Sequence, residues 1–319
     1  MIKNKELNQR IIRIAEKLDI RETSVLDFLY YLSVKDSTKT KLLIRATGQP
    51  KAQIQRLLKS FSEFLKPPSQ AVIVNKKEDR KIMQNFIKER IKQIKAVNKE
   101  LIKKLLTKYN NLRLSPKRSF DQFYATTKTV IKRSLIMAKT GDLWQGEIVF
   151  LGDDDLTSIA VALTRQAQRI VVFEIDEDIG DLIAEISKQE KLGIEVIKHD
   201  LRKPLPKKYL NSFNTVFTDP PYTPKGISVF LNKAIELIKN RYTSRIYLCY
   251  GNSNRARERE VDIQKLIADK GLLIDSKLYQ FNKYYGAESI GSSSSLYLLD
   301  WTPRVKITKV DFANFYTYE

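Results

Sequence analysis

Residues 147–156 read EIVFLGDDDL, a short apolar run that ends in a glycine and three consecutive acidic residues. A continuous apolar run of this length predicts a strand that is buried on both faces. Similar runs occur at 169–175, 194–200, 213–219 and 244–251, with helical patterns between them at 156–167, 178–192 and 227–240. The alternation predicts an open α/β sheet whose ligands bind at the carboxyl ends of the strands.

Two later strand candidates, 272–281 and 295–300, have no helical pattern between them, which predicts an antiparallel pair at the sheet edge. The fold expected for this half is a Rossmann-like sheet of the class I methyltransferase type.

The first third of the chain is predicted to be helical. Helical patterns at 39–46 and 50–64 flank the turn Gly48-Gln49-Pro50, and the run AVIV at 71–74 suits a short strand. This order is typical of a winged helix-turn-helix. One long basic helix is expected at about 77–107. The predicted domains are a winged-helix domain (1–76), a helical connector (77–139) and the Rossmann-like domain (140–319).

The formal net charge of +20 is unevenly distributed. Residues 1–140 carry 33 Lys and Arg against 12 Asp and Glu, a balance of +21, whereas residues 141–319 carry 24 against 25, a balance of −1. The split predicts two surfaces with different partners, and the basic half is compatible with nucleic-acid binding. One cysteine and one histidine provide too few ligands for a thiolate or histidine metal site, so no metal is expected. Without an apolar leader or a membrane-length apolar run, we expect a cytoplasmic protein, and a homodimer because winged-helix domains often pair.

Acidic residues follow the first four predicted strands at the point where each strand ends. Because the carboxyl ends of parallel strands meet at one edge of a sheet, we expect these side chains to lie close together. One acid after a strand is ordinary helix capping, but a cluster of carboxylates is repulsive unless cations compensate it. We therefore predict a site in which a cationic ligand, rather than arginine, compensates Asp153, Asp154, Asp155 and Asp219.

The loop after the first strand lacks the second and third glycines of the dinucleotide fingerprint and presents three negative charges instead. This disfavours a pyrophosphate cofactor and any ligand with a carboxylate at that point. An acid at the end of the second strand suits the two hydroxyls of a ribose, and Glu174 is preferred to Asp176. Asp200 is placed to accept a hydrogen bond from an adenine amino group. A nucleoside that carries an amine therefore fits this edge.

Residues 219–222 read DPPY and resemble the loop by which amino-group methyltransferases hold a target nitrogen beside a sulfonium. In this interpretation Asp219 accepts a proton from the amine, and the two prolines fix the turn so that Tyr222 packs on the substrate. The bare tetrapeptide would also suit a simple rigid turn, but its position at the end of the fourth strand favours a functional role.

Three motifs together resemble one known family: GDDDL (152–156), HDLR (199–202) and DPPYT (219–223). Further matching segments are FDQ (120–122), Gly141-Asp142 and FNKYYGAESIGSSSSLY (281–297). The sequence is similar to the archaeal and bacterial branched-chain polyamine synthases, which are N4-bis(aminopropyl)spermidine synthases, and the similarity covers nearly all of the predicted C-terminal domain.

The resemblance implies transfer of aminopropyl groups from decarboxylated S-adenosylmethionine to the secondary amine of spermidine, which gives a branched polyamine and methylthioadenosine. The candidate proton acceptors are Asp154, Asp155 and Asp219, and the resemblance favours an acid of the GDDD run. Residues assigned to the donor are Gly152, Asp153, Glu174, Asp176, Asp200 and Gln122. Residues assigned to the acceptor are Asp219, Pro220, Pro221, Tyr222, Thr223 and Glu258. Replacing Asp155 or Asp219 with Asn is expected to abolish transfer and to leave thermal stability nearly unchanged.

His199 is expected to pack at the end of the third strand, and Tyr284, Tyr285 and Trp301 are expected to be core or dimer-interface aromatics.

The strongest rival function is an amino methyltransferase that acts on nucleic acid through the same DPPY loop. The triple-aspartate loop opposes this function, because its charges would repel the carboxylate of the donor and a phosphate backbone. A nucleic-acid-binding regulator that merely senses polyamine or nucleoside is a third alternative.

Overall fold

A computed structural model describes residues 4–34, 38–65, 74, 77–252, 257–286, 292–311 and 315–316. The chain divides into two compact units, Met1–Ala96 and Val97–Glu319. Residues 77–139, predicted to be a connector, are therefore shared between the two units. Within the described ranges, no helix combines the length and the apolar content needed to cross a membrane.

The N-terminal unit is helical. Its helices are α1 (Asn4–Leu18), α2 (Glu22–Val34), α3 (Thr40–Thr47), α4 (Lys51–Ser60) and α5 (Lys77–Lys95), with a short 3-10 turn at Ser62–Phe64. The strand predicted at 71–74 lies outside the described residues except for Val74, which forms an isolated antiparallel bridge with Leu65. The winged-helix assignment stays a prediction.

The long helix predicted at 77–107 is wrong, because two helices occupy this range. α5 ends at Lys95, and α6 begins at Lys99 and continues to Asn110. The physical reason is a helix cap: the side chain of Asn98 accepts a hydrogen bond from the backbone N–H of Leu101 at 2.9 Å. An asparagine in this position satisfies one of the unpaired donors of a new first turn.

The C-terminal unit is built on a seven-stranded sheet. Its strands are β1 (Glu147–Leu151), β2 (Arg169–Glu174), β3 (Ile194–Lys198), β4 (Thr215–Thr218), β5 (Arg245–Gly251), β6 (Leu273–Lys283) and β7 (Ser293–Asp300). They lie in the order β3-β2-β1-β4-β5-β7-β6, with β1 to β5 parallel and both β6 and β5 antiparallel to β7. The five apolar runs are confirmed as strands, and so is the antiparallel pair at the edge.

Helices cover both faces of this sheet. They are α6, α7 (Thr127–Thr140), α8 (Thr157–Leu163), α9 (Glu177–Gln189), α10 (Pro224–Leu237) and α11 (Arg257–Asp269), with 3-10 turns at Arg118–Phe120 and Lys207–Tyr209. Alternate residues of β1 enter two cores: Ile148 and Phe150 pack on the face covered by α6 to α9, while Val149 and Leu151 pack with α10 and α11. Burial on both faces explains why the strands read as unbroken apolar runs.

Candidate active site

The first strand ends in a tight turn that directs its three aspartates along the edge of the sheet. Gly152 has φ +70°, a left-handed conformation that L side chains rarely adopt, and its N–H donates to the carbonyl of Phe173 at 2.9 Å. Asp153 follows, and its carboxylate accepts the backbone N–H groups of Thr157 at 2.8 Å and Ser158 at 3.0 Å. Asp153 therefore caps the start of α8, and its part in donor binding stays a prediction.

Asp155 and Asp219 are brought together by one buried arginine. Arg133, on α7, has no exposed side-chain surface and donates from one terminal nitrogen to Asp155 at 2.5 Å and from the other to Asp219 at 2.6 Å. The second oxygen of Asp155 accepts the backbone N–H of Ala125. A buried charge pair with such geometry holds its members in fixed positions, because breaking it would leave an uncompensated charge.

Arg133 corrects one expectation from the sequence. The prediction that a ligand alone compensates these acids is wrong, because one guanidinium already pairs with two of them. The sequence does indicate that Arg133 is buried, because Val130, Arg133, Ser134 and Met137 lie at helical spacing on the buried face of α7. A lone arginine on an apolar helix face indicates a buried ion pair, since an unpaired charge there would be costly.

Two tyrosines complete the surroundings of Asp219. Tyr222 donates to one carboxylate oxygen at 3.0 Å, and Tyr284 donates to the other at 2.7 Å. Burial raises the pKa of both hydroxyls well above the usual value, so both stay protonated and act as donors. Tyr284 packs against the core, as expected from the sequence, and its hydroxyl also lies 3.1 Å from Arg133 and 3.1 Å from the hydroxyl of Tyr222.

The sequence did not identify Asn282 either, a residue of β6 that contacts Arg133. Its carbonyl oxygen accepts from Nε of Arg133 at 2.9 Å, while its amide donates to Ser294 at 2.9 Å. Asn282 and Ser294 both belong to the 281–297 segment that resembles the known family, but strand periodicity alone does not indicate which polar side chain reaches the site. The pairing depends on β6 and β7 folding back beside β5.

Asp154 differs from its neighbours because its carboxylate retains its acceptor capacity. Among the residues that the structure describes, none donates a hydrogen bond to that carboxylate, and Arg113 bonds only the backbone oxygen of Asp154, at 2.6 Å. Burial, followed by the charges of Asp155, Asp219 and Glu174, raises the pKa of Asp154 well above the usual value, and Arg113 opposes that shift. A carboxyl group in such surroundings is suited to take up a proton.

The acids at the end of β2 are held by different partners. Glu174 accepts the backbone N–H groups of Asp153 at 2.8 Å, Ile175 at 2.9 Å and Asp176 at 3.0 Å. Burial raises the pKa of Glu174, and these hydrogen bonds oppose the shift. Through its backbone contact with Asp153, Glu174 ties the end of β2 to the aspartate loop after β1.

Asp176 accepts from Gln122 at 2.9 Å and from Lys117 at 2.6 Å. Although burial acts to raise its pKa, the hydrogen bonds from Lys117 and Gln122 lower it overall. The structure thus brings the sequence-predicted residues Gln122 and Asp176 into direct contact.

Asp200 lies beyond the end of β3 and is paired within its own turn. Arg202 bonds both oxygens of this carboxylate, with nitrogen–oxygen distances of 3.0 and 3.1 Å. Burial acts to raise the pKa of Asp200, but the bonds from Arg202 lower it overall. Nearby, the ring of His199 meets Phe173 edge-on at 5.7 Å, which agrees with its predicted packing role.

The DPPYT loop is closely packed. Pro220 and Pro221 are buried. Thr223 caps α10 by accepting the N–H of Gly226 at 2.9 Å, while its hydroxyl donates to the backbone carbonyl of Phe315 at 2.8 Å. A Cβ added at Gly226 would lie 2.9 Å from the carbonyl oxygen of Phe315, so the loop packs tightly at this position. The ring of Tyr222 meets Tyr250 edge-on at 5.3 Å.

Glu258 lies exposed in the first turn of α11, and its predicted position over the acids stays a prediction. The described side chains include no group of three or more His, Cys, Asp or Glu arranged to hold a metal ion.

Most of the chain, including the C-terminal unit from residue 100 onward, is similar to a known protein family. The family model described as "Branched-chain polyamine synthase A C-terminal domain" matches residues 100–318. An uncharacterized protein of Methanocaldococcus jannaschii, MJ0675, is 40% identical over 176 residues, or 55% of this chain and 44% of the relative. The N(4)-bis(aminopropyl)spermidine synthase of the same organism is 37% identical over 171 residues, or 53% of this chain and 49% of the relative. The match thus spans about half the length of these curated relatives.

A solved structure supports the fold. The branched-chain polyamine synthase from Thermus thermophilus, crystallised with N4-aminopropylspermidine and 5'-methylthioadenosine, matches with a TM-score of 0.61 at 20% identity, covering 95% of this chain and 96% of that one. This likeness confirms the Rossmann-like α/β fold. Because the family model covers more than two thirds of the sequence, the chain belongs to the family of the branched-chain polyamine synthase A C-terminal domain.

Proposed function

We propose that this protein is an aminopropyltransferase that uses decarboxylated S-adenosylmethionine to alkylate the secondary amine of spermidine, giving branched N4-bis(aminopropyl)spermidine and methylthioadenosine. Family membership supports this proposal, as do the ligands named for the Thermus thermophilus synthase, which are a polyamine and methylthioadenosine. The single observation that carries it is the open carboxylate of Asp154, which lies beside two aspartates already fixed by Arg133.

The charge balance favours a cationic acceptor. Arg133 pairs with Asp155 and Asp219. The charges of Asp155, Asp219 and Glu174 act on Asp154, and the charge of Arg113 opposes them. Bringing an ammonium group close to these acids would relieve the repulsion that raises the pKa of Asp154. Charge-assisted hydrogen bonds to ammonium groups are about twice as strong as neutral ones.

In the proposed reaction, a nitrogen–carbon bond forms between the acceptor amine and the propyl carbon, and the bond from that carbon to the sulfonium breaks. The electron pair of the broken bond leaves with methylthioadenosine. Asp154 takes the proton that the amine must lose, since a protonated amine has no lone pair for attack. Alignment of the two reactants can contribute on the order of 7–11 kcal/mol.

The fixed residues around Asp154 position the acceptor rather than accept its proton. Both oxygens of Asp219 and both of Asp155 are already engaged by donors that cannot readily be given up. Tyr222, held between Asp219 and Tyr250, offers an aromatic surface beside the reacting nitrogen. We assign Pro220, Pro221 and Thr223 to the rigidity of this loop, and Glu258 to an outer ammonium group.

We assign the donor to the carboxyl ends of β2 and β3, which lie next to β1 at the same edge of the sheet. Glu174 is the last residue of β2 and Asp176 follows the strand, where folds of this type bind ribose hydroxyls. Gln122 is bonded to Asp176, and Gly152 allows close approach of the backbone. Asp200 is assigned to the adenine amino group. When it is ionised, Asp154 would repel the carboxylate of S-adenosylmethionine itself, so the decarboxylated donor fits the loop better.

The direct test is mass spectrometry of the products formed from spermidine and decarboxylated S-adenosylmethionine. We expect mass increases of one and then two aminopropyl groups, with fragmentation that places both on the central nitrogen. Linear products only would contradict the branched assignment. Failure to react, together with methyl transfer from S-adenosylmethionine to nucleic acid, would support the rival methyltransferase.

A further inference from the structure

The N-terminal unit contains a helix-turn-helix whose second helix is anchored by apolar residues. Three residues, Gly48-Gln49-Pro50, connect α3 to α4, and Gly48 has φ +67°. Ile54 and Leu57 on α4 have no exposed surface, and α2 packs against both helices. A three-residue turn that contains glycine, between two short helices on a supporting helix, is the arrangement that presents a second helix to a groove.

The outward face of α4 is a continuous basic stripe. Lys51, Gln55 and Lys59 are exposed and spaced four residues apart, so they lie in line along one side of the helix, with Arg56 exposed beside them. Residues 39–60 contain six Lys and Arg and no Asp or Glu. No described acidic side chain pairs with Lys51, Arg56 or Lys59, so the charge of the stripe is directed at solvent.

We propose that this stripe, defined as Lys51, Gln55, Arg56 and Lys59, binds the major groove of double-stranded DNA. An α-helix with its side chains is about 10–12 Å in diameter, and the major groove of B-DNA is about 12 Å wide, so α4 can lie in the groove. The three cations contact phosphates, and the Gln55 amide lies where it can reach a base edge. This interaction is separate from the proposed transfer, which depends on acids of the C-terminal unit.

The chemistry of the stripe favours duplex DNA over other anionic partners. The exposed positions of α4 are Lys51, Ala52, Gln55, Arg56 and Lys59, and none of them carries the large apolar side chain that insertion into a membrane surface would need. A-form RNA has a deep, narrow major groove that side chains cannot read. A helix with this polar face therefore fits the groove of B-DNA.

The test is fluorescence anisotropy of a labelled 20-base-pair DNA duplex titrated with the full chain at several salt concentrations. The key variant carries Lys51→Ala, Arg56→Ala and Lys59→Ala. The matched control carries Lys77→Ala, Lys81→Ala and Lys88→Ala, which removes the same charge from exposed positions of α5 in the same unit. Circular dichroism and the aminopropyl transfer rate are measured for both variants to confirm folding.

We expect the wild-type protein to bind the duplex with a Kd on the order of micromolar at physiological salt. The α4 variant should bind at least tenfold more weakly, and the slope of log K against log salt should fall by about 3, because each lost phosphate contact removes about 0.9. Gln55→Glu alone should also weaken binding. The α5 control should retain most of the affinity, and transfer rates should be unchanged in both variants.

Equal losses in the α4 variant and the α5 control would overturn the proposal, because diffuse positive charge would then account for the binding. Tighter binding to a duplex RNA of the same length, or to vesicles containing anionic lipid, would overturn the choice of DNA. A folded, transfer-competent protein that shows no DNA binding at low salt would refute the interface and leave the proposed enzyme function intact.

Discussion

The carboxylates of Asp155 and Asp219 lie on either side of one buried guanidinium, 2.5 and 2.6 Å from its two terminal nitrogens. These two residues come from loops after different strands, β1 and β4, and α7 supplies the arginine between them. The arrangement distinguishes Asp155 and Asp219, which Arg133 fixes, from the open carboxylate of Asp154.

Replacing Arg133 tests whether its ion pairs with Asp155 and Asp219 stabilise the fold. Arg133→Gln should lower the free energy of unfolding by about 3–5 kcal/mol, because two buried carboxylates lose their shared cation. Urea titration followed by circular dichroism measures the change. Lys128→Ala, an exposed charge on the same helix, should shift stability by no more than about 0.5 kcal/mol. Equal stability of the two variants would show that the ion pair is not structural.

The two neighbouring aspartates should respond differently to the same substitution. Asp155→Asn should lower the thermal unfolding midpoint, because it removes a buried partner of Arg133. Asp154→Asn should leave the midpoint unchanged or raise it, because it removes repulsion from Asp155 and Asp219. This revises the expectation from sequence that Asp155→Asn would leave stability nearly unchanged. Identical shifts in differential scanning calorimetry would contradict the distinction between the two acids.

The pH dependence of transfer should report the raised pKa of Asp154. The group must be deprotonated to accept a proton, so the single-turnover rate should increase with pH as this carboxyl ionises, above the range of an ordinary aspartate. In the Asp154→Glu variant the single-turnover rate should still increase with pH, but the midpoint of the increase should lie at a different pH. If the rate of the Asp154→Asn variant showed the same increase with pH as the wild-type rate, another group would control the pH dependence of transfer.

The donor site should discriminate against a carboxylate. Decarboxylated S-adenosylmethionine should bind more than about tenfold more tightly than S-adenosylmethionine, a difference of about 1.4 kcal/mol. Isothermal titration measures both affinities, and Asp154→Asn should reduce their ratio because one repulsive charge is gone. Equal affinities in the wild-type protein would rule out carboxylate exclusion by the aspartate loop.

Much of the C-terminal fold could be predicted because it depends on local patterns. Parallel strands covered on both faces must be apolar throughout, so runs such as 147–152 and 169–175 agree with β1 and β2 to within a residue. The acids were expected at one edge because parallel strands in a sheet have their carboxyl ends on the same side. The break between α5 and α6 was missed because one capping residue, Asn98, outweighs an otherwise continuous helical pattern.

The partners of the acids could not be predicted in the same way, because they come from distant parts of the chain. Arg133 lies 86 positions before Asp219, and Tyr284 lies 65 positions after it. Periodicity can place one of the 57 Lys and Arg residues on a buried helix face, but it does not indicate which acids pair with that residue. Only the position of Arg133 on the apolar face of α7 provided a signal, and its meaning depends on how α7 packs beside the sheet edge.

The most direct test of the account is the single-turnover rate of aminopropyl transfer to spermidine by the wild-type protein and by Asp154→Asn, with both substrates saturating. We expect the variant to be folded and to bind the donor, with transfer slowed by at least about 100-fold, the contribution of a positioned proton acceptor. A folded Asp154→Asn variant that transfers at the wild-type rate would contradict the role of Asp154 and the mechanism that depends on it.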